Sequence, residues 1–409
     1  MSSLLERLRA KDKKGLFEAS QVSVSYPSGF APLDYLNGQL VQVRNLKEEL
    51  QNEYPSIGIV GGTFNTVVGK SGTSKTTWTC QTAFNIVKPF NENSFVLMYD
   101  LEQSLTYTRV KNITGASQEE LDKKFIIKQG RNYIEDIYDA IIAITKEKEE
   151  NKADYLYDPG LRDEFDRPIK AFVPTVIIID SIPTMSTKDA LDTIEGQTAQ
   201  MRKTKAITQF YQKLMPVIKP YNIIIFVINH IQAKIEINPF AKTQPQLMYM
   251  KADESMPCGN AVIYYANNLF KFVSAGKLNE ADDGISGANI RIEMLKSRTN
   301  RAGQMVTLVY DQVTGFDPVM SLLKFADDRE LIEGRNPYRK FIGCPDVKFD
   351  TRKFRNEFYE REEVRKALYE VTKPSLYKML SRPVIAGGDT EILSQEDVIQ
   401  RLVESQNQE

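Results

Sequence analysis

The chain has 409 residues, 42% hydrophobic and 26% charged, enough for one large core with smaller appendages or for two domains. Its net charge of −1 excludes a global positive field of the kind that holds nucleic acid by bulk electrostatics, so any such site must be local. Three cysteines, Cys80, Cys258 and Cys344, stand far apart with no CxxC pair, which argues for a reducing cytoplasmic setting and against a disulfide framework or a structural zinc site. Any metal must then be held by oxygen. No apolar run approaches the ~20 residues that span a bilayer. The opening MSSLLERLRAKDKKG has no apolar signal core after its charges, so a soluble, unexported protein with no membrane partner is expected.

Leu4, Leu5 and Leu8 sit at helical spacing among charges, which predicts a short amphipathic helix too small to stand without a partner surface. From Phe64 to Tyr310 short apolar runs alternate with helical text. FNTVVG, SFVLMYD, KFIIKQG, TVIIID and IIIFVIN read as strands buried on both faces of a mainly parallel α/β sheet. NLFKFVSAGK, NIRIEMLKSR and QMVTLVYD, spaced by polar turns, extend that sheet with antiparallel pairing open to them. Residues 151–173, with two prolines and many charges, read as a surface insertion ahead of the fourth strand. From about Ser321 the strand rhythm is expected to stop, leaving charged helical text and a small C-terminal domain over 321–409. Residues 1–40 form an N-terminal segment and 41–320 the core.

The strand FNTVVG runs into Gly69, Lys70, Ser71, Gly72, Thr73, Ser74, Lys75, Thr76 and Thr77 and then into helical WTCQTAFNIV. This is the GxxxxGK[ST] phosphate loop in its proper setting, with Ser74 in place of the second glycine. Backbone N–H groups at a helix start wrap phosphate oxygens, Lys75 neutralises the β and γ charge, and the Thr76 hydroxyl ligates magnesium. Serine at 74 fits only if that residue avoids a positive φ. The strand SFVLMYD places Glu102 just past a carboxyl edge, where a carboxylate can orient and deprotonate an attacking water. TVIIID ends in Asp180, the Walker B position, placed to hold the magnesium through water. IIIFVIN ends at His230, the single histidine of the chain, beside the expected γ-phosphate and suited to reporting that phosphate to the next loop.

In this order the motifs resemble the RecA family of DNA recombinases, and within it the phage UvsX-like branch. The similarity covers residues 60–326 through GKSGTSKT, YDLEQSLT, IIIDSIPTMSTKDALDTIEGQTAQ, FVINH, MPCGNAVIYYA, LKSRTNRAG and TGFDPVMSLLKFA. The stretch around Gly259 and Asn260 is similar to the segment that closes the family's second DNA loop, with Cys258 where the family prefers glycine. The resemblance implies a RecA-like ATPase core with a short N-terminal polymerisation segment and a small C-terminal domain. It implies ATP and Mg²⁺ as cofactors, single- and double-stranded DNA as partners, self-association into a helical filament, and loader and single-strand-binding proteins. It makes Glu102 the catalytic carboxylate and His230 the phosphate sensor, and gives Lys296 and Arg298 the role of cations reaching a neighbour's γ-phosphate. DNA would meet loops at about 185–200 and 231–258, through Lys188, Arg202, Lys234, Phe240, Lys242, Tyr249, Lys251, Gly259 and Asn260.

The mixture of cations, aromatics and prolines in 231–258 suits a loop that contacts phosphates and stacks bases. Two other readings share the phosphate loop: a hexameric replicative helicase, and a recombination mediator that uses nucleotide as a switch with little turnover.

Overall fold

The computed structural model describes residues 24–44, 50–130, 132–162, 168–188, 197–234, 244–280 and 284–381. The amphipathic segment around Leu4, Leu5 and Leu8 lies outside them. Nine strands form the central sheet: β1 Phe64–Gly69, β2 Val96–Asp100, β3 Phe125–Gln129, β4 Thr175–Asp180, β5 Ile223–His230, β6 Asn268–Leu278, β7 Gly287–Ser297, β8 Met305–Asp311 and β9 Gly315–Asp317. Their spatial order is β9-β8-β7-β6-β1-β5-β4-β2-β3. The six strands from β6 to β3 run parallel. Strands β7, β8 and β9 continue the sheet antiparallel. The chain is thus an α/β protein with a large, mixed, mostly parallel sheet.

Alternation along the central strands fills both faces, as period-two geometry requires. Ile224, Phe226 and Ile228 of β5 join one apolar cluster and Ile223, Ile225 and Val227 the other. The helix Lys75–Val87 covers the first face with Trp78, whose buried ring meets Phe226, Phe270 and Phe272 at 5.8, 5.5 and 5.3 Å. The helices Ile134–Glu150 and Gln197–Ile218 cover the second. Strand β3 differs from the expectation of burial on both faces. It is the sheet edge, and Ile126 is 40% exposed.

The strand rhythm does not stop at Ser321, which lies inside the helix Pro318–Asp328. Ile332–Arg335, Tyr338–Phe341 and Cys344–Asp350 form a three-stranded antiparallel sheet, followed by the helices Phe354–Glu360 and Glu362–Tyr377. Alternating charges hide these strands in the sequence, because only their inner residues, such as Phe341 and Phe349, are buried. Those residues belong to the same continuous apolar cluster as the first face of the central sheet. Within the 151–173 insertion, Leu156–Tyr157 pairs with Ala171–Phe172, and the Tyr157 hydroxyl bonds that of Tyr26 at 2.8 Å.

At the edge of the sheet where β4 and β5 begin, Lys148 is 1% exposed and donates to the carbonyls of Val173 (2.8 Å) and Tyr221 (2.9 Å). Burial pushes its ammonium down from 10.5 to about 7. The unfolded chain therefore holds this proton where the folded chain has released it, so stability rises as pH climbs from about 7 toward 10.5. Urea unfolding at the two ends of that window is expected to show this rise in the wild type and a flatter profile in Lys148→Met.

Candidate functional site

Parallel pairing brings four strand ends to one edge. Asp180 of β4 stands opposite Asp100 of β2, and His230 of β5 opposite Gly69 of β1. A Cβ on Gly69 would lie 2.6 Å from the Phe272 carbonyl oxygen, so only glycine lets the chain leave the sheet there. Lys70, Ser71 and Gly72 are exposed at the loop's tip, while the Thr73 hydroxyl folds back to the Lys70 carbonyl at 2.8 Å. Thr77 is half-buried in the first turn of the helix.

Ser74 overturns the expectation that it avoids a positive φ. It caps the helix Lys75–Val87 at φ 59° and ψ 27°, with no side-chain cap bond. The path of the loop into the helix sets this conformation, and an L-residue bears its steric cost.

Lys75 is buried, and its ammonium donates to the carbonyls of Gly69 (3.1 Å) and Lys70 (2.9 Å). Burial lowers it below the usual lysine range against the opposing pull of Asp180 and Glu102. The Thr76 hydroxyl donates to Asp180 Oδ2 at 2.5 Å. Burial pushes the Asp180 carboxyl up to about 6, more than the bond from Thr76 lowers it. A hydroxyl and a carboxylate together offer the hard oxygens that magnesium takes. Among the described residues no group of three or more His, Cys, Asp or Glu side chains could hold a metal alone. An ion here would complete its shell with phosphate oxygens and water.

Glu102 follows β2 on a turn pinned by Asp100, a residue to which the sequence pattern assigned nothing. The buried Asp100 carboxylate accepts from the Leu105 N–H (2.9 Å), the Ser104 N–H (3.3 Å) and Gln129 Nε2 (2.8 Å). Glu102 Oε1 then accepts from Ser181 Oγ at 2.6 Å and from His230 Nε2 at 3.2 Å. Partial burial works to raise this carboxyl, but those two bonds, with the charges of His230 and Lys75, hold it below the usual carboxylate range. It is an anion at neutral pH. Ser181 and Asn229 were visible only as polar residues next to strand-ending groups. Asn229 accepts the His230 N–H at 2.8 Å and donates to the Pro257 carbonyl at 3.1 Å.

Lys296 and Arg298 stand apart from this group. Lys296 donates to the carbonyls of Ile263 and Tyr264, both at 2.7 Å, and Arg298 to that of Tyr264 at 2.9 Å, so the two cations do point the same way. Burial, with the nearby charge of Arg298, pushes Lys296 down to about 8. Strict alternation along NIRIEMLKSR would put Glu293 on the face opposite Lys296, but a register shift breaks it and leaves both Met294 and Leu295 buried. Glu293 faces Lys271 and Arg291.

The nucleic-acid candidates are dispersed. Lys188 pairs with Asp136 at 2.7 Å, and Arg202 is exposed on the helix Gln197–Ile218. Lys234 donates to the Gln244 carbonyl at 2.8 Å, Lys251 is exposed, and the half-exposed Tyr249 ring lies over Gly303. Phe240 and Lys242 lie outside the described residues. Cys258 and Gly259 adopt φ of 73° and 77° in succession, so the cysteine takes the left-handed shape that glycine would take freely. The exposed Asn260 then opens the short helix Ala261–Tyr264.

No protein-family model matches the chain, and no curated protein matches it.

The strain at Ser74 sets an expectation. Ser74→Gly relieves ~1–2 kcal/mol of left-handed strain but gives back ~0.5–1 kcal/mol in unfolded-state entropy, so thermal unfolding is expected at the same or a higher temperature. Ser74→Val, β-branched at a positive φ, is expected to lower it by several degrees. Equal behaviour of the two variants would contradict the loop geometry.

Proposed function

We propose that the chain is a phosphate-loop ATPase whose reaction takes place at the carboxyl edge of its parallel sheet. Within that class it is a DNA strand-exchange protein of the RecA kind, close to the phage UvsX-like branch. It assembles as a helical filament on single-stranded DNA and pairs that strand with homologous duplex.

One observation carries this reading: the carboxylate suited to activating water, Glu102, is hydrogen-bonded to His230, the residue from which the 231–258 loop departs. A hydrolytic group and a loop suited to nucleic acid thus share one contact, as coupling between turnover and DNA requires. Glu102, ionised and held by Ser181, accepts the proton of the attacking water. Lys75 exchanges its loop carbonyls for β- and γ-phosphate oxygens. Thr76 and Asp180 would hold a magnesium ion, which when bound would supply positive charge beside the transferred phosphoryl group. His230 can turn from Glu102 to a phosphate oxygen, and its backbone leads directly into the loop. Lys296 and Arg298, whose hydrogen bonds among the described residues go to carbonyls, are suited to an anionic phosphate supplied by a neighbouring protomer.

Lys75→Ala is expected to abolish hydrolysis. Glu102→Gln is expected to retain ATP and DNA-bound filaments while slowing turnover at least ~10²-fold, because an amide cannot accept the water's proton. Single-strand-stimulated ATPase and joint-molecule assays test the reading. Closed rings in electron micrographs, with no joint molecules, would favour the helicase instead.

The role of the two cations has its own check. Mixing Lys296→Ala/Arg298→Ala protein with Glu102→Gln protein is expected to restore hydrolysis at interfaces where an intact Glu102 faces intact cations. A mixture that forms co-filaments yet stays as inactive as its parts would remove the cations from the neighbour's site.

A further inference from the structure

The loop after His230 begins and ends on a stem. Gln232 and Ala233 pair antiparallel with Ser255 and Glu254, and the Lys234 N–H adds a bond to the Asp253 carbonyl at 2.7 Å. So short a ladder has little stability of its own. Its return limb is held from below. Met250 and Met256, each 4% exposed, pack with Val68, Ile231, Ile263, Leu269 and Leu295. Beside them Lys271 Nζ meets Glu254 Oε2 at 2.8 Å, with side chains only 6% and 13% exposed. Lys271 lies on β6 opposite Val68, one residue before Phe272 faces Gly69 at the start of the phosphate loop.

A buried ion pair is a costly way to gain stability, since desolvation cancels much of the attraction and apolar residues of similar size often do as well. What the pair adds over the methionine packing is a single allowed position. Glu293 also lies 3.5 Å from Lys271, but it has Arg291 Nε at 2.9 Å as a second partner. Glu254 has Lys271 as its one ion-pair partner among the described residues. Removing Lys271 therefore leaves the Glu254 carboxylate without a counter-charge, held by one long bond from the Lys251 N–H at 3.4 Å.

We propose that Lys271 is a positioning residue for the 231–258 loop. Its pair with Glu254 fixes the return limb against the phosphate-loop side of the sheet, so that a shift entering at His230 swings the stem about a fixed point. This rests on the reading of that loop as a DNA contact. The loop then has a driven end at His230 and an anchored end at Glu254, and the packing alone, without the charge pair, leaves the anchored end free to slip.

The test uses the full chain, a fluorescent oligo-dT strand and ATP. Lys271→Met is expected to bind ATP as the wild type does, to bind the oligonucleotide at least about tenfold more weakly, the size of one lost stacking or phosphate contact, and to lose stimulation of turnover by DNA. Lys271→Arg, which keeps the charge, is expected to restore both. Lys271→Met/Glu254→Met, free of any stranded charge, is expected to regain the wild-type melting temperature but not the DNA response. Should Lys271→Met fail to fold, the arginine and double variants carry the comparison alone. Unchanged DNA binding and stimulation in Lys271→Met, or recovery of both in the double variant, would overturn the proposal, the latter by showing that burial alone positions the loop. A wild type that hydrolyses ATP but never binds the oligonucleotide would instead sink the DNA reading itself, and the role of Lys271 with it.

Discussion

Two hydrogen bonds onto a single oxygen, from Ser181 Oγ and His230 Nε2 to Glu102 Oε1, tie together the ends of β2, β4 and β5. They form only because those strands run parallel and end level, and parallel strands require the helical crossovers that cover both faces. The apolar runs of the central strands are therefore a condition of the site as well as of the core. Asp100 completes the arrangement by folding the turn after β2 back on itself, so that Glu102 arrives at the edge at a fixed angle.

The same constraint explains which features the sequence made legible. Continuous apolar runs such as TVIIID and IIIFVIN identify strands buried on both faces, and their terminal Asp180 and His230 stand where parallel geometry puts strand ends. The turn from Gly69 into the helix Lys75–Val87 was readable because a strand, a glycine-bearing loop and helical text follow one another in the sequence. What escaped depended on information that periodicity does not carry. FIIKQ is as apolar as a central strand, yet its place at the edge is decided by sheet order. The three strands between Ile332 and Asp350 bury one side against a neighbouring surface, and their charged outer side hides them. The bulge at Met294 and Leu295 shifts every face assignment that follows it by one residue. Ser74 departs from its own preference because the loop's path fixes its φ at 59°.

Three cations of the chain show how context divides one chemistry into different tasks. Lys148 is enclosed at the far edge of the sheet with two carbonyls and serves as a neutralisable cap on the starts of β4 and β5. Lys75 is buried at the near edge within the field of two carboxylates, which keeps an ammonium available beside the loop. Lys296 is half-exposed on the carbonyls that end the helix Ala261–Tyr264, a weak resting place for a full charge.

Trp78 is the single tryptophan of the chain, and it is wholly enclosed among Phe226, Phe270 and Phe272 on the helix Lys75–Val87. The molecule thereby carries one indole reporter, set in an apolar medium. An indole so enclosed is expected to emit at short wavelength and to speak for the seam between that helix and the sheet. Separation of the helix from β5 and β6 would admit water to the ring and is expected to move its emission to the red, whereas events that leave those aromatic contacts intact are not expected to reach it.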